Sequence, residues 1–227
     1  MIANIAILVF TREAGKEALC KGFSSRLNSN KGKEIAASLI SNTIACAAKS
    51  GLPYFIISSA AQEGNCFGER FRNAFQSIFA RGFNAVIAIG TDCPGLKTSD
   101  IRSAADTVSK GAAVLGPAGD GGTWLTTLTS DQFEQLDFGV LPWNTGMLCS
   151  SLEMALASLE QPYLLLSRKG DVDSIEDIFA EGGKHLWLRR LLRCLITRDC
   201  RSALRFYTLF LPSSLCRRGP PEFLLIP

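Results

Sequence analysis

Residues 84–94 read NAVIAIGTDCP, an apolar run that stops on a glycine and a carboxylate. The five apolar residues 85–89 fit a strand buried on both faces, as in a parallel sheet. Gly90 lets the backbone turn away, and Pro94 keeps the strand from continuing. Asp92 therefore falls just past a strand's carboxyl end, where open α/β sheets place their ligands. An aspartate before a Pro-Gly turn serves equally well as a plain turn residue, so its position alone leaves both readings open.

Upstream of that strand the chain alternates. MIANIAILVF at the start reads as a first strand. It lacks the basic leader and small-residue cleavage site of a signal peptide. Residues 11–33 read as a long polar loop carrying Arg12, Lys16, Lys21, Arg26, Lys31 and Lys33 against Glu13 and Glu17. Such a cationic surplus suits phosphates, and a solvated lysine-rich loop is as common. A helix is expected over 34–50, a strand over 53–59, and an amphipathic helix carrying Phe71, Phe75, Ile78 and Phe79 at three- and four-residue spacing.

Downstream, Thr98 or Ser99 can cap a helix running to about Lys110, and 112–115 forms a short buried strand. Strand and helix thus alternate through four strands, which predicts right-handed crossovers and a largely parallel sheet. The pattern then changes at GPAGDGG, residues 116–122. Its glycines allow backbone N–H groups to approach a ligand, and Asp120 can accept hydrogen bonds from a sugar or assist a metal. The competing reading is a hairpin turn, because Asp-Gly is a favoured type I′ pair. LPWNTG (141–146) precedes a helix expected over 145–159, and PYLLLS (162–167) reads as a further strand.

A second carboxylate cluster lies in KGDVDSIEDIF, residues 169–179. In an extended chain Asp171 and Asp173 face one side and Val172 the other. Ser174 is a plausible N-cap, with Glu176 and Asp177 in the first turn. Asp171 or Asp173 can then meet Asp92 across the sheet and share a hard cation, whose preferred ligands are oxygens. A plain strand-to-helix turn explains the same residues.

Composition narrows the classes. The 227 residues are 47% hydrophobic and 20% charged, which excludes a disordered chain and leaves room for one substantial α/β domain, or for a domain plus an appendage. The eight cysteines form no CxxC pair and there is one histidine, His185, so a zinc cage is not expected. Reduced cysteines within apolar stretches (Cys46, Cys149, Cys194) point to a cytoplasmic location. No segment has the uncharged apolar length that spans a bilayer, and no nucleic-acid partner is expected.

From residue 64 to about residue 178 the chain resembles the rSAM/selenodomain-associated transferase family, which is grouped with the nucleotide-diphospho-sugar transferases. The resemblance rests on FGERFRNAF (67–75), IGTDCPGL (89–96), VLGPAGDGG (114–122), LPW (141–143) and DVDSIEDI (171–178), in the family's order and at similar spacing. It implies an α/β fold of the three-layer GT-A-like kind, with a mostly parallel central sheet, helices on both faces and a nucleotide pocket above the sheet. It also implies Mg²⁺ or Mn²⁺ and a nucleotide sugar or nucleoside triphosphate as substrate. On that pattern Asp92 with Asp171 or Asp173 would hold the metal, and Asp92 and Asp120 would be the catalytic carboxylates. Arg12, Arg26, Gly90 and Thr91 would bind the nucleotide's phosphates, while Gly121, Gly122 and Trp143 would meet the sugar or acceptor.

The chain departs from the family pattern at two places. GFSSRL (22–27) stands where a loop resembling PGxVKTRL is usual, and Thr123 and Trp124 follow DGG in place of a tyrosine or phenylalanine pair. The expected activity is metal-dependent transfer from a nucleotide-activated sugar. The alternatives are nucleotidyl transfer from a triphosphate and non-catalytic nucleotide binding. The glycine-rich LAxGxGxR loop of nucleotidyltransferases is absent, since the chain has LVFTREAGK after its first strand.

A transferase domain over 1–182 and a basic helical extension over 183–227 complete the expected organisation. The extension carries a net charge of +7, leaving −4 for the rest. Leu188, Leu191, Leu192 and Leu195 form an apolar stripe with arginines between them. Packing of this stripe against the chain's own acidic domain is expected, the alternative being weak contact with an anionic membrane surface.

Overall fold

The structure is a computed structural model that describes residues 4–23 and 29–196. Strand β1 (Ile5–Phe10) leads into α1 (Ala14–Cys20) and α2 (Ser29–Ser50), followed by β2 (Tyr54–Ile57), α3 (Phe67–Phe79) and β3 (Ala85–Ile89). Then come α4 (Thr98–Val108), β4 (Ala113–Pro117), β5 (Thr123–Thr129), α5 (Ser130–Gln135), α6 (Leu148–Ser158), β6 (Tyr163–Leu165), α7 (Ile175–Lys184) and α8 (Leu186–Ile196).

One six-stranded sheet runs in the order β2-β1-β3-β5-β4-β6. β1 pairs parallel with β2 and β3, and β4 pairs parallel with β6. β5 is inserted antiparallel between β3 and β4. The sheet is thus mostly parallel, and the β4–β5 turn is a hairpin, as Asp-Gly suggested.

All five residues of β3 and the first five of β1 are buried, which is why both read as continuous apolar runs. The strand alternation sends Leu8, Val86, Ala88 and Leu115 toward α3, α5 and α6, where Phe75 and Phe133 stack with centroids 5.7 Å apart. It sends Ile7, Val9, Ile87 and Ile89 toward α2 and α4. The helices therefore cover both faces. Trp124 is seated against Gly116, where a Cβ would lie 2.5 Å from the indole, so the tryptophan after the DGG turn is a core residue that a glycine in β4 admits.

Three expectations are corrected. The segment 11–33 is not one loop: it holds α1, and α2 begins at Ser29, five residues before the expected start. Neither start has an apolar stripe to reveal it. The helices are fixed instead by Ala18 and Phe23 packing on Ile35, Ala36 and Leu39. Helix α4 begins at Thr98 after Lys97, whose N–H donates to Asp100 Oδ2 at 2.8 Å, so Thr98 and Ser99 lie inside the first turn. The short α5, with its Thr129–Gln132 capping box, had no sequence counterpart in our reading. Ser174 does cap α7, with Asp177 closing the box.

The domain boundary expected after residue 182 falls within α7, and α8 buries Leu188, Leu192 and Leu195 in a third apolar cluster with α1, α2 and α7. Trp187 donates its indole N–H to Pro94 O at 3.2 Å, tying α8 to the turn after β3. The rest of the basic extension lies outside the described residues. Among the described residues no helix is long and apolar enough to cross a membrane.

Candidate functional site

The carboxyl ends of β1 and β3 sit side by side, and the loops that leave them are tied together. The Thr11 hydroxyl donates to Arg12 O, so it accepts from the Thr91 hydroxyl 3.1 Å away. Gln62 donates its amide to Thr11 O at 2.7 Å. Above these ends lies an open cleft with about 160 Å³ of enclosed space. Its floor includes Ala88, Ile89 and Gly90, and Phe67, Arg70, Phe71 and Trp143 form one wall. Thr11, Arg12, Thr91 and Asp92 line the mouth side. Flat aromatic walls with hydroxyls, an amide and two arginines suit a base, a ribose and a phosphate together.

The sequence-chosen residues divide between two places. Arg12, Gly90, Thr91, Asp92 and Trp143 all line the cleft. Trp143 spends its indole N–H on Phe138 O at 2.7 Å, so only its ring faces a ligand. Arg12 pairs with Glu17 at 3.0 Å. Arg26 lies outside the described residues.

Asp120, Asp171 and Asp173 form the second place, with one carboxylate oxygen from each lying within 4.8 Å of the others. Asp120 is presented by the β4–β5 hairpin, whose turn is closed by Ala118 N–H to Gly122 O at 2.9 Å and Gly122 N–H to Asp120 Oδ1 at 2.8 Å. Gly121 has φ +88°, and a Cβ there would come within 2.0 Å of Gly146 O. Gly121→Ala should thus cost about 3 kcal/mol through backbone strain and collision, shifting Asp120 as the hairpin gives way. Urea unfolding checks this, and an unchanged midpoint would show the turn to be relaxed. Val172 is fully buried between its two aspartates, so Asp171 and Asp173 share the opposite side. Val172 N–H donates to Asp92 O at 2.9 Å, which joins this loop to the turn after β3.

Lys21 links the two places, and sequence reasoning counted it only among loop cations. Its side chain is 7% exposed. The ammonium lies 3.0 Å from Asp173 Oδ1, 3.3 Å from Glu17 Oε1 and 3.5 Å from Asp92 Oδ2, and it donates to Val172 O. Burial opposes its charge, but Asp92, Glu17 and Asp173 outweigh that cost and raise the pKa above the ordinary lysine value. The available signal was the Glu17-to-Lys21 spacing of four residues beside Ala14 and Ala18.

Asp171 is pushed up to about 7, first by burial and then by the charges of Asp120 and Asp173. A carboxyl with a raised folded-state pKa stabilises the fold below its unfolded value and loses that contribution as pH rises through the folded value. The apoprotein should therefore lose stability between about pH 4 and pH 7 at this residue. Asp171→Asn should gain roughly 1 kcal/mol at pH 8, after allowing for solvent screening of a half-buried group, and nothing at pH 4. Thermal unfolding at both pH values checks this, and equal gains at both would refute it.

Three hard oxygen donors with no nitrogen or sulfur among them fit Mg²⁺ or Mn²⁺, and their mutual repulsion at Asp171 is what a dication relieves.

Residues 44–145 match the model of the family described as "Uncharacterized protein conserved in bacteria (DUF2064)". The match spans the cleft wall, Asp92 and Asp120 and stops before Asp171. Comparison with curated proteins gives no match. Among solved structures, a "putative nucleotide-diphospho-sugar transferase" from Desulfovibrio desulfuricans G20 superposes with a TM-score of 0.73 at 20% identity, over 90% of this chain and 98% of that one. Rv0371c from Mycobacterium tuberculosis H37Rv gives 0.46 at 15% identity, over 85% and 99%. A cytidylyltransferase from Leptospira borgpetersenii serovar Hardjo-bovis gives 0.40 at 12%, over 76% and 79%. The chain has the nucleotide-diphospho-sugar transferase fold, on the strength of the first of these.

Proposed function

We propose that this protein is a divalent-metal-dependent transferase acting on a nucleotide-activated sugar, of the rSAM/selenodomain-associated kind that its ordered motifs resemble. The observation that carries the proposal is the abutment of an aromatic-walled cleft and a three-carboxylate cluster, with Asp92 on their border. Asp120, Asp171 and Asp173 would hold Mg²⁺ or Mn²⁺, and Asp92 would complete the arrangement once phosphates arrive from the cleft. Bound there, the cation would neutralise charge on the departing nucleoside diphosphate.

The chain's own residues supply the rest. The ring walls of Phe67, Phe71 and Trp143 hold the base, and Thr11, Thr91 and Gln62 fix the loop backbone that meets the ribose. Arg12 and Arg70 face the phosphate path. Lys21, with its donors spent on protein oxygens, orients Asp92 and Asp173 rather than touching substrate. Gly121 and Gly122 keep the hairpin low enough for the sugar or acceptor to approach Asp120.

Residues 1–182 would form the transferase unit, with the basic segment 183–227 an extension whose first helix packs on it. A reducing cytoplasmic setting suits the six described cysteines, all free thiols. Incubation with Mn²⁺ and a panel of sugar nucleotides and nucleoside triphosphates tests the reaction. Released nucleoside diphosphate supports sugar transfer, released pyrophosphate supports nucleotidyl transfer, and silence across a panel that nonetheless binds supports a non-catalytic nucleotide sensor.

A further inference from the structure

Lys169 stands just ahead of Asp171, where the segments that carry the site's aspartates meet. Its backbone N–H donates to Pro117 O at 3.1 Å, and the residue forms a parallel bridge with Ala118 at the foot of the β4–β5 hairpin. Next along that hairpin, a Cβ on Gly119 would lie 3.0 Å from Asp171 Oδ1. The hairpin that presents Asp120 and the segment that presents Asp171 and Asp173 are therefore packed as one unit.

The Lys169 side chain leaves this unit and crosses to the turn after β3. Its ammonium lies 4.5 Å from the centroid of the Trp124 ring, donates to Gly95 O at 3.0 Å and pairs with Asp100 in the first turn of α4. The Lys169 side chain is 16% exposed and that of Asp100 22%, so salt and solvent screen the pair weakly. The turn it grips is itself held, because Trp187 donates to the neighbouring Pro94 O and Leu96 N–H closes on Cys93 O at 3.2 Å.

The segment 169–173 is thus fastened to that turn at two separated points. At one end Val172 N–H donates to Asp92 O, and Lys21 draws Asp92 and Asp173 together. At the other end Lys169 holds Gly95 O. One fastening alone leaves a hinge, whereas two fix the angle. We infer that Lys169 is a positioning residue: it sets the three-carboxylate unit at the distance and angle from Asp92 that a metal-bound phosphate has to span. The inference rests on the metal-dependent reading above. It also gives the tryptophan after the DGG turn a task, since Trp124 supplies the ring face on which the ammonium is seated.

Methionine at position 169 keeps the backbone bridge to Ala118, so Asp120, Asp171 and Asp173 stay together. Only their setting against Asp92 is lost. Calorimetric titration of Mn²⁺ alone, and of UDP-glucose or GDP-glucose with and without Mn²⁺, separates the two effects. Lys169→Met should bind Mn²⁺ alone within about threefold of wild type, while the gain in nucleotide affinity that Mn²⁺ brings should fall at least roughly tenfold. Lys169→Arg, which keeps a cationic donor for Gly95 O and Asp100, should recover most of that gain. Val108→Ala opens a cavity at the far end of α4 and should lower the melting temperature while keeping the full gain. A full gain in folded Lys169→Met overturns the inference alone, as does a loss of Mn²⁺ binding itself equal to the loss of the gain. An arginine variant that recovers nothing, or an equal loss in Val108→Ala, overturns it too. A wild type in which Mn²⁺ brings no gain with either nucleotide sinks the metal-dependent reading and this inference with it.

Discussion

Lys21→Met should cost about 3 kcal/mol of stability, because removing one partner of a buried charge network leaves the others uncompensated. Glu17 is buried and Asp92 and Asp173 are partly exposed, so Glu17 bears most of the penalty. For a chain of this size the loss corresponds to a fall in Tm of roughly 6–12 °C. Methionine matches the length of the lysine stem, so lost packing contributes little. Added Mn²⁺ should restore part of the loss in the variant, since a cation can then approach the freed Asp92 and Asp173 from the same side. A melting temperature within about 2 °C of wild type would show that the ammonium is not the tie between α1, the turn after β3 and the 171–173 loop.

The second large effect separates the carboxylates by role. Asp120→Asn, Asp171→Asn and Asp173→Asn should each weaken the binding of Mn²⁺ alone at least roughly tenfold, because each removes an anionic oxygen from a site that holds the ion by charge and ligand number. Asp92→Asn should leave Mn²⁺ binding within about threefold, since its nearer partner is Lys21, but should abolish the gain in nucleotide affinity that Mn²⁺ brings. Isothermal titration of Mn²⁺ into the four variants distinguishes these outcomes. Equal losses at all four positions would place Asp92 among the direct ligands even without nucleotide.

What could be read from the sequence follows the physics of each element. β1 and β3 are central strands buried on both faces, so their residues had to be apolar throughout. The glycine and proline after β3 then marked its end. Helix α3 showed itself by the spacing of Phe71, Phe75 and Phe79, although Phe71 serves both the core and the cleft wall, and no spacing rule separates those uses. The four aspartates could be named because each sits beside a glycine, a strand end or a helix cap. Their grouping was not legible: Asp120 joins Asp171 and Asp173, while Asp92 leans to Lys21 across 71 residues of sequence. α1 was missed for the same reason. A helix of only seven residues has little intrinsic signal, and contacts with distant parts of the chain hold it in place.

The central claim is that a divalent cation beside Asp92 joins the nucleotide's phosphates to the protein. The most direct measurement is calorimetric titration of a sugar nucleotide into wild type and Asp92→Asn, each with and without Mn²⁺, alongside thermal unfolding of both. Mn²⁺ should tighten binding to wild type at least roughly tenfold, or about 1.4 kcal/mol, and should bring no such gain in a variant that melts near the wild-type temperature. Affinity for wild type that is the same with and without Mn²⁺, or a full Mn²⁺ gain retained in folded Asp92→Asn, would contradict it.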